Sequence, residues 1–458
     1  MGRGKRNSLG NSMSLHPKPR DLNKIRTTDP VALSSQVIDS GRADEPTNRV
    51  SNELTEITDD VAIIESFSHM VVFQTEEGLV TFDASGAESG GAVVEALRKW
   101  RVDPVHSLVY THGHLDHVGG SGALIADAES RGYKDPTVFG HENVPRRLER
   151  YERTNEWNIL INRRQFGGIS PKHGLGLSHG KPRFLPEETV WPDVVYTDEM
   201  SLKVGGLEME FHHGKGETDD HTWAWIPSKK ALVTGDLVIW VFPNAGNPQK
   251  VQRYPLEWAS ALREMMSYDA ELLLPAHGLP IVGKERIRQV LTDIAEVLEA
   301  LVRDTVALMN AGASLNEIIH EVEVDQDKIG LPWLRPLYDE PEFVVRNIWR
   351  MYGGWWDADP ASLKPSPQPA IASELVSLIG GITPLVNRAQ ELADNGDFRL
   401  SCHLIEFAAN AQPENKVVHG VRAEIYRKRR ASESSLMSKG VFAAAMRESE
   451  DISAHESE

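Results

Sequence analysis

The sequence predicts an α/β protein in which two sheets are covered by helices, followed by an all-helical C-terminal part. Short apolar and β-branched runs alternate with helical stretches between residues 61 and 284. Beyond about residue 284, apolar residues recur at spacings of three and four, which is typical of amphipathic helices. The length of 458 residues exceeds what one hydrophobic core normally serves. We therefore expect a sandwich domain joined to separate helical units.

The strands of the predicted sandwich form two groups along the chain. The first group contains the runs at 61–66, 70–75, 78–85 and 105–111. The second group contains the runs at 207–213, 221–227, 230–238 and 271–278. The last strand of the first group leads directly into a histidine-rich segment, and a predicted helix over 122–131 follows it. The local order is therefore strand, polar loop, helix.

Composition changes along the chain predict five segments. The N-terminal arm has no sustained apolar period, a Pro-rich break interrupts the helical half, and the C-terminus is acidic. The predicted segments are a disordered arm over 1–50, the sandwich over 51–284, a helical extension and linker over 285–369, a second helical unit over 370–448, and a disordered acidic tail over 449–458.

The overall composition excludes several classes of function. A net charge of −18 opposes binding to nucleic acid phosphates or to anionic lipid, and it argues against a nuclease. One cysteine, Cys402, rules out an internal disulfide framework and a cage of thiolate ligands. The sequence contains no run of about 20 apolar residues and no apolar stretch typical of a secretory signal. We expect a cytoplasmic protein that binds neither membranes nor nucleic acid and acts on a small molecule.

Four potential metal ligands lie within six residues directly after the strand over 105–111. They are His112, His114, Asp116 and His117. Neutral imidazoles and carboxylates suit zinc, and a loop at a strand end lets alternate side chains converge on one point. Iron and manganese also accept such ligands.

Two metal ions need more than four ligands, and further His and Asp residues follow at predicted strand ends. His221 lies in the segment GETDDH, Asp236 in TGD, and His277 in PAHG. Spacing alone does not assign each ligand to one ion. The pattern nevertheless predicts two metal ions held by side chains from separate strand ends.

In order and type, these motifs resemble those of the metallo-β-lactamase superfamily over roughly residues 60–280. The resemblance implies an αββα sandwich in which Asp83 supports the metal loop without binding metal. It also implies that Asp236 bridges the two zinc ions. The remaining implied ligands are His112, His114 and His221 for one zinc ion, and Asp116, His117 and His277 for the other.

Hydrolysis is the reaction that such a metal pair predicts. Water held between two dications loses a proton near neutral pH, so a bridging hydroxide becomes available as the nucleophile. The resemblance implies that Asp116 orients this hydroxide and carries a proton as the catalytic carboxylate.

The C-terminal half resembles the alkylsulfatase branch of the same superfamily. The resemblance rests on FVVRNIWRMYGGWWDADP and on the helical pattern AQELA, NGDF and AQPEN. It implies an all-helical dimerisation domain, a homodimer, and cleavage of sulfate esters of alkyl chains.

Two differences from that branch leave other substrates open. The branch carries glutamates at the third and fourth metal motifs, where this chain has His221 and Asp236. A Thr-Leu-Arg-Gly segment that holds sulfate is replaced by residues 243–248. The alternatives are hydrolysis of another ester, a lactone, an amide or an aryl halide in the same site. A non-catalytic dimeric scaffold is a further alternative, which the intact ligand set disfavours.

An anionic head group needs local positive charge on so acidic a chain. Arg163, Arg164 and Arg253 are the predicted substrate-binding residues, because guanidinium groups match the geometry of sulfate. His173 and His179 in a Gly-rich loop are candidates for a general acid, although a solvated loop is the alternative.

Overall fold

The computed structural model describes residues 29–166 and 183–454 and contains the predicted sandwich. Seven strands form the first sheet in chain order, and six strands form the second. The strands of the first sheet are β1 (Glu53–Thr58), β2 (Val61–Glu65), β3 (Met70–Thr75), β4 (Gly78–Phe82), β5 (Val105–Val109), β6 (Thr137–His141) and β7 (Val194–Tyr196). Those of the second are β8 (Glu199–Val204), β9 (Leu207–His213), β10 (Thr222–Ile226), β11 (Ala231–Gly235), β12 (Leu272–Pro275) and β13 (Ile281–Val282).

Helices cover both outer faces of the sandwich and make up the C-terminal part. The helices before residue 284 are α1 (Pro30–Ser40), α2 (Ala87–Trp100), α3 (Leu115–Val118), α4 (Ser121–Arg131), α5 (Asn143–Arg153), α6 (Asn155–Gln165) and α7 (Pro255–Met265). The later helices are α8 (Lys284–Asn310), α9 (Leu315–Glu321), α10 (Gln326–Ile329), α11 (Pro341–Gly353), α12 (Pro360–Leu363), α13 (Gln368–Leu378), α14 (Ile382–Asp394), α15 (Phe398–Ala411), α16 (Lys416–Ser432) and α17 (Leu436–Ala454).

The core between the sheets is built from alternate residues of facing strands. Ile63, Phe82 and Val109 of the first sheet pack with Phe211 and Leu274 of the second. Fully burying one such side chain contributes about 1.5–3 kcal/mol. The core thereby fixes the two sheets against each other, and with them the strand ends that carry the polar loops.

The helical extension belongs to the core on the outer face of the second sheet. Leu291 and Leu298 of α8 pack with Trp240, Trp258 and other residues beneath that sheet. The last helices form a smaller core of their own, in which Ala389 of α14 meets Ile405 of α15 and Ile425 of α16.

The structure corrects both predictions of terminal disorder within the described residues. Residues 30–40 form α1, whose Leu33 and Val37 are buried against the second-sheet core. Asp29 caps this helix by accepting hydrogen bonds from Val31 N and Ala32 N. At the other end, α17 continues to Ala454. Each terminal helix is stabilised because its apolar residues pack against a surface formed by the rest of the protein.

No single helix in the described parts of the chain is long and apolar enough to cross a membrane. Helices α13 and α14 reach that length and apolar composition only when taken together, and the two helices are bent by 98° relative to each other.

Helix α17 packs closely against α6 of the sandwich domain. A Cβ atom added at Gly440 would overlap the backbone carbonyl of Gln165, whereas one added at Gly420 of α16 would meet open space. We expect Gly440→Ala to destabilise the protein by about 1–3 kcal/mol, because overpacking forces the helices apart. The matched control Gly420→Ala should stabilise by about 0.5–1 kcal/mol through helix propensity. Urea unfolding of both variants measures this, and equal effects would contradict the close approach.

Candidate metal centre

The ends of four strands bring the predicted polar residues to one edge of the sandwich. Asp83 follows β4, and the segment from His112 to His117 follows β5. Asp236 follows β11, and His277 follows β12. Strands β4, β11 and β12 are fully buried, and β5 is buried except at His106, so the backbone at these strand ends is held rigidly.

The first set of ligand atoms contains two histidines and two carboxylates. His112 Nε2 lies 3.0 Å from His114 Nδ1 and 3.8 Å from Asp236 Oδ2. His114 Nδ1 lies 3.4 Å from Glu217 Oε1. His114, Glu217 and Asp236 form one of the groups able to hold a cation.

The second set lies on the other side of Asp236. Asp116 Oδ2 is 3.5 Å from His117 Nε2 and 3.3 Å from His277 Nε2. Asp236 Oδ1 is 3.4 Å from His117 Nε2 and 3.5 Å from His277 Nε2. The two oxygens of Asp236 thus face different sets, as expected of a bridging carboxylate.

The geometry of both sets fits metal ions. Tetrahedral zinc with bonds of 2.0–2.1 Å places neighbouring ligand atoms about 3.3–3.4 Å apart, close to most of the separations observed here. His117 Nε2 and Asp236 Oδ1 are also buried without a hydrogen-bond partner in the described chain. Buried polar atoms without partners are rare in folded proteins, and a cation held by both atoms would satisfy them.

His221 is the one predicted ligand that the structure does not place in either set. Its Nε2 atom accepts a hydrogen bond from Asp236 N at 3.0 Å, and its ring stacks on His112 at 5.0 Å. Glu217, four residues earlier in the same motif, faces His114 instead. The structure thus places Glu217, and not His221, among the ligand atoms, because the turn after β9 directs Glu217 toward the site. The resemblance to a branch with a glutamate at this motif was the available signal.

Opposing electrostatic effects act on the histidines. Burial lowers the pKa of His112 and of His114 well below the usual value, which favours the neutral ring that binds metal. Burial also acts to lower the pKa of His117, but Asp236, Asp116 and Asp83 together raise it well above the usual value. The second set is thus a strongly negative environment that favours a cation.

Asp83 supports the metal loop as predicted. Its Oδ2 atom lies 2.8 Å from His117 Nδ1 and accepts a hydrogen bond from Thr111 Oγ1 at 2.7 Å. Its Oδ1 atom accepts a hydrogen bond from Thr111 N at 2.8 Å. The backbone of Asp83 has a φ of 60°, a conformation that Asp tolerates better than most residues. The residue thereby turns its carboxylate back beneath the loop.

A buried ion pair that the sequence did not reveal holds the same loop from the other side. Arg147 Nε donates to Asp220 Oδ2 at 2.7 Å, and Gly113 N donates to the same oxygen at 3.0 Å. Gly113 lies between two ligands, so Asp220 fixes the turn that separates them. Only the tertiary contact distinguishes Arg147 from the neighbouring exposed arginines of α5.

The predicted substrate-binding arginines have different surroundings. Arg253 is 1% exposed, lies 3.1 Å from Glu217 Oε1, and also donates to the Glu217 carbonyl. It holds Glu217 in place, and substrate binding by Arg253 stays a prediction. Arg163 and Arg164 are exposed on α6, and Arg164 donates to Gln249 at 3.2 Å. Substrate binding by these two residues stays a prediction, and His173 and His179 lie outside the described residues.

Two family models match this chain. The metallo-β-lactamase superfamily model matches residues 63–277, and the alkyl sulfatase dimerisation model matches residues 314–451. The chain combines a metallo-β-lactamase domain with an alkyl sulfatase dimerisation domain. The second match begins well before residue 370, where the dimerisation domain was predicted to begin.

Curated relatives extend the similarity over most of the chain. A linear primary-alkylsulfatase from a Pseudomonas species is 25% identical over 375 residues, which cover 78% of this chain and 69% of that protein. An (R)-specific secondary-alkylsulfatase from a Pseudomonas species is 26% identical over 377 residues, which cover 78% of this chain and 56% of that protein. An alkyl/aryl-sulfatase from Saccharomyces cerevisiae is 23% identical over a match that covers 79% of this chain and 58% of that protein. The chain thus spans little more than half the length of the last two relatives.

The same architecture occurs in a solved structure. The stereoselective inverting sec-alkylsulfatase from a Pseudomonas species superposes with a TM-score of 0.77 at 22% identity, covering 93% of this chain and 69% of that one. The predicted fold class is confirmed by this match. The predicted family and the prediction of a metal-dependent hydrolase of this fold are confirmed by the family models and the curated relatives.

Proposed function

We propose that this protein is a dinuclear zinc hydrolase that cleaves sulfate esters of alkyl chains. The observation that carries the proposal is the pair of ligand sets that share Asp236. The substrate class comes from the relatives, several of which are named alkylsulfatases and match across both domains. A metal pair in these sets would supply Lewis acidity toward the ester oxygens and a water nucleophile at neutral pH.

The residues of the chain have separate roles in this scheme. Asp116 is part of the second set, and its side chain is 23% exposed, so it can reach both a ligand and the solvent-facing side of the site. Burial acts to raise the pKa of the Asp116 carboxyl, but His117 and, to a smaller extent, His277 together lower it well below the usual value. We assign Asp116 the role of orienting the attacking water and accepting its proton.

The segment over 243–248 supports a second candidate, a carboxylic ester or related substrate. Asn244 donates to Glu217, while Gly246 N and Asn247 N donate to Asp339 Oδ2 at 2.6 and 3.0 Å. The segment contains no arginine or lysine, so it does not supply the positive charge that its counterpart in the alkylsulfatase branch provides. A sulfate substrate then requires a cation from another part of the chain.

Paired substrates distinguish the two candidates. The experiment compares turnover of an alkyl sulfate and the matching alkyl acetate by zinc-loaded protein, with His114→Ala as the blank. We expect release of sulfate that the variant abolishes. Cleavage of the acetate alone would reject the sulfatase and favour the second candidate, and turnover of neither would reject both.

We also propose that the protein is a homodimer. The proposal rests on the match to the alkyl sulfatase dimerisation model and on exposed apolar side chains of the last helices, such as Leu378, Leu400 and Val417. Light scattering of the full chain tests this, and a monomeric mass would reject it. A cytoplasmic location stays a prediction.

A further inference from the structure

Four polar side chains form a wall beside the ligand sets, which we call the α6 wall. They are Asn162 and Gln165 of α6, Lys250 from the loop before α7, and Tyr338 from the segment before α11. Lys250 Nζ donates to Asn162 Oδ1 at 3.0 Å, and Gln165 Nε2 donates to the Tyr338 hydroxyl at 2.8 Å. Asn162 and Gln165 are three residues apart and therefore share one face of the helix. One helix face thus orients both a cation and a phenol.

The α6 wall lies near the metal ligands. Lys250 and Tyr338 each interact electrostatically with Asp116, Glu217 and Arg253. Contacts along the chain connect the wall to the first set. Tyr338 precedes Asp339, whose Oδ2 atom accepts from Gly246 N and Asn247 N, and Asn244 of the same segment donates to Glu217. The wall therefore lies next to a segment that contacts a ligand.

Lys250 has an incomplete set of partners. Among the described residues it forms no ion pair, and its hydrogen bond goes to a neutral amide oxygen. Desolvation, with a contribution from Arg253, lowers the pKa of Lys250 to about 7 even though Glu217 and Asp116 oppose the change. A desolvated ammonium group without a paired anion is costly, and a bound anion removes that cost.

Tyr338 can supply a hydrogen bond to the same ligand. Its oxygen accepts from Gln165, which leaves the hydroxyl proton available as a donor. Burial raises the pKa of Tyr338, so the hydroxyl keeps this proton at neutral pH.

Two arginines close to the site are paired with carboxylates. Arg253 is paired with Glu217, and Arg147 is paired with Asp220. Arg164 donates to Gln249, the residue next to Lys250, and Gln249 also donates to the carbonyl of Ile161 at 3.2 Å. These contacts hold the loop that carries Lys250 against α6. Lys250 is thus a cation near the ligands whose ammonium group has no ion pair among the described residues.

We propose that the α6 wall binds the anionic head group of the substrate, with Lys250 and Tyr338 donating hydrogen bonds to sulfate oxygens. This inference rests on the proposed function, because a sulfate ester retains one negative charge at its head group. It also supplies the cation that the segment over 243–248 does not provide. A neutral carboxylic ester would gain little from the wall, so Lys250 would determine specificity.

The first test measures binding of inorganic sulfate to the zinc-loaded protein by calorimetry. Lys250→Met removes the charge and keeps most of the apolar stem, Lys250→Arg keeps the charge, and Lys203→Met is a matched control at an exposed lysine of β8. We expect Lys250→Met to raise the Kd for sulfate at least tenfold, with little change in the control. Binding by Lys250→Met that equals wild type would overturn the inference.

Turnover separates this inference from the proposed function. In Lys250→Met we expect the KM for an alkyl sulfate to rise about tenfold, with the KM for an alkyl acetate unchanged. Equal changes for both substrates would overturn the inference while leaving the hydrolase intact. Wild-type protein that binds sulfate through Lys250 but cleaves no alkyl sulfate would reject the proposed function and retain the anion site.

A measurement on the wild-type protein avoids any dependence on how the variants fold. An amine with a lowered pKa reacts readily with acetic anhydride near neutral pH, and mass spectrometry reports acetylation at Lys250. We expect sulfate to slow this acetylation several-fold and to leave that of Lys203 unchanged. Equal rates at Lys250 with and without sulfate would contradict the proposal.

Discussion

Glu217→Gln is expected to leave one bound metal ion of two per chain and to lower kcat/KM for the preferred ester by roughly a thousandfold. A neutral amide oxygen is a weak ligand for zinc, so the set formed with His114 would lose a charged donor. Loss of one Lewis acid costs several kcal/mol of transition-state stabilisation, and about 4 kcal/mol corresponds to that factor. Metal content by mass spectrometry and steady-state kinetics measure both effects.

His221→Gln is the control for this experiment. The glutamine oxygen lies about as far along the side chain as Nε2 of His221 and can still accept the hydrogen bond from Asp236 N. We expect both ions to remain bound and activity to fall by roughly tenfold, as for groups that support a ligand. If His221→Gln lost an ion and Glu217→Gln kept both, the ligand assignment would revert to the one predicted by motif spacing.

Asp83→Asn is expected to weaken metal binding to the set that contains His117 by about 10–100-fold. His117 presents Nε2 to the set, so its Nδ1 atom carries the proton that faces the Asp83 carboxylate at 2.8 Å. An asparagine amide whose oxygen kept the contact with Thr111 N would turn its own N–H groups toward that proton. The imidazole would then rotate or change tautomer, and either change disturbs the ligand.

Chelator competition measures the affinity of each ion in this variant. Asp193→Asn is a suitable control, because its carboxylate also accepts a backbone hydrogen bond, from Val138 N at 2.8 Å, and it lies at β7 on the same sheet. Asp193→Asn should bind both metal ions with the affinities of the wild-type protein. Affinities within twofold of wild type in Asp83→Asn would show that the contact with His117 does not support binding.

The sequence was sufficient for most elements of the sandwich. Strands such as β3 and β4 are runs of β-branched and apolar residues separated by a turn at hairpin length, a pattern that local sterics and burial determine. The long helix α8 carries its apolar residues on one face over 27 residues. The clustered histidines after β5 were equally clear, since few loops place such residues at this spacing.

Prediction failed where the outcome depended on a surface made elsewhere in the chain. Helix α1 is short and lies next to a polar arm, and the apolar residues Leu33 and Val37 become informative only against the second-sheet core. Arg147 and Arg146 look alike in the sequence, yet Arg147 is 3% exposed and paired with Asp220, whereas Arg146 is exposed. Burial of one helix face determines this difference.

The sequence by itself determined the fold class and the family, and it indicated the polar residues at strand ends that the structure brings together, because these follow from local periodicity and residue types. The tertiary structure placed Glu217, rather than His221, beside His114. It also showed that Arg253 is paired with Glu217 and that Lys250 donates to a neutral amide oxygen. The physical reason is that each charge near the site acquires its role from the partner opposite it, and backbone folding brings those partners together from distant parts of the chain.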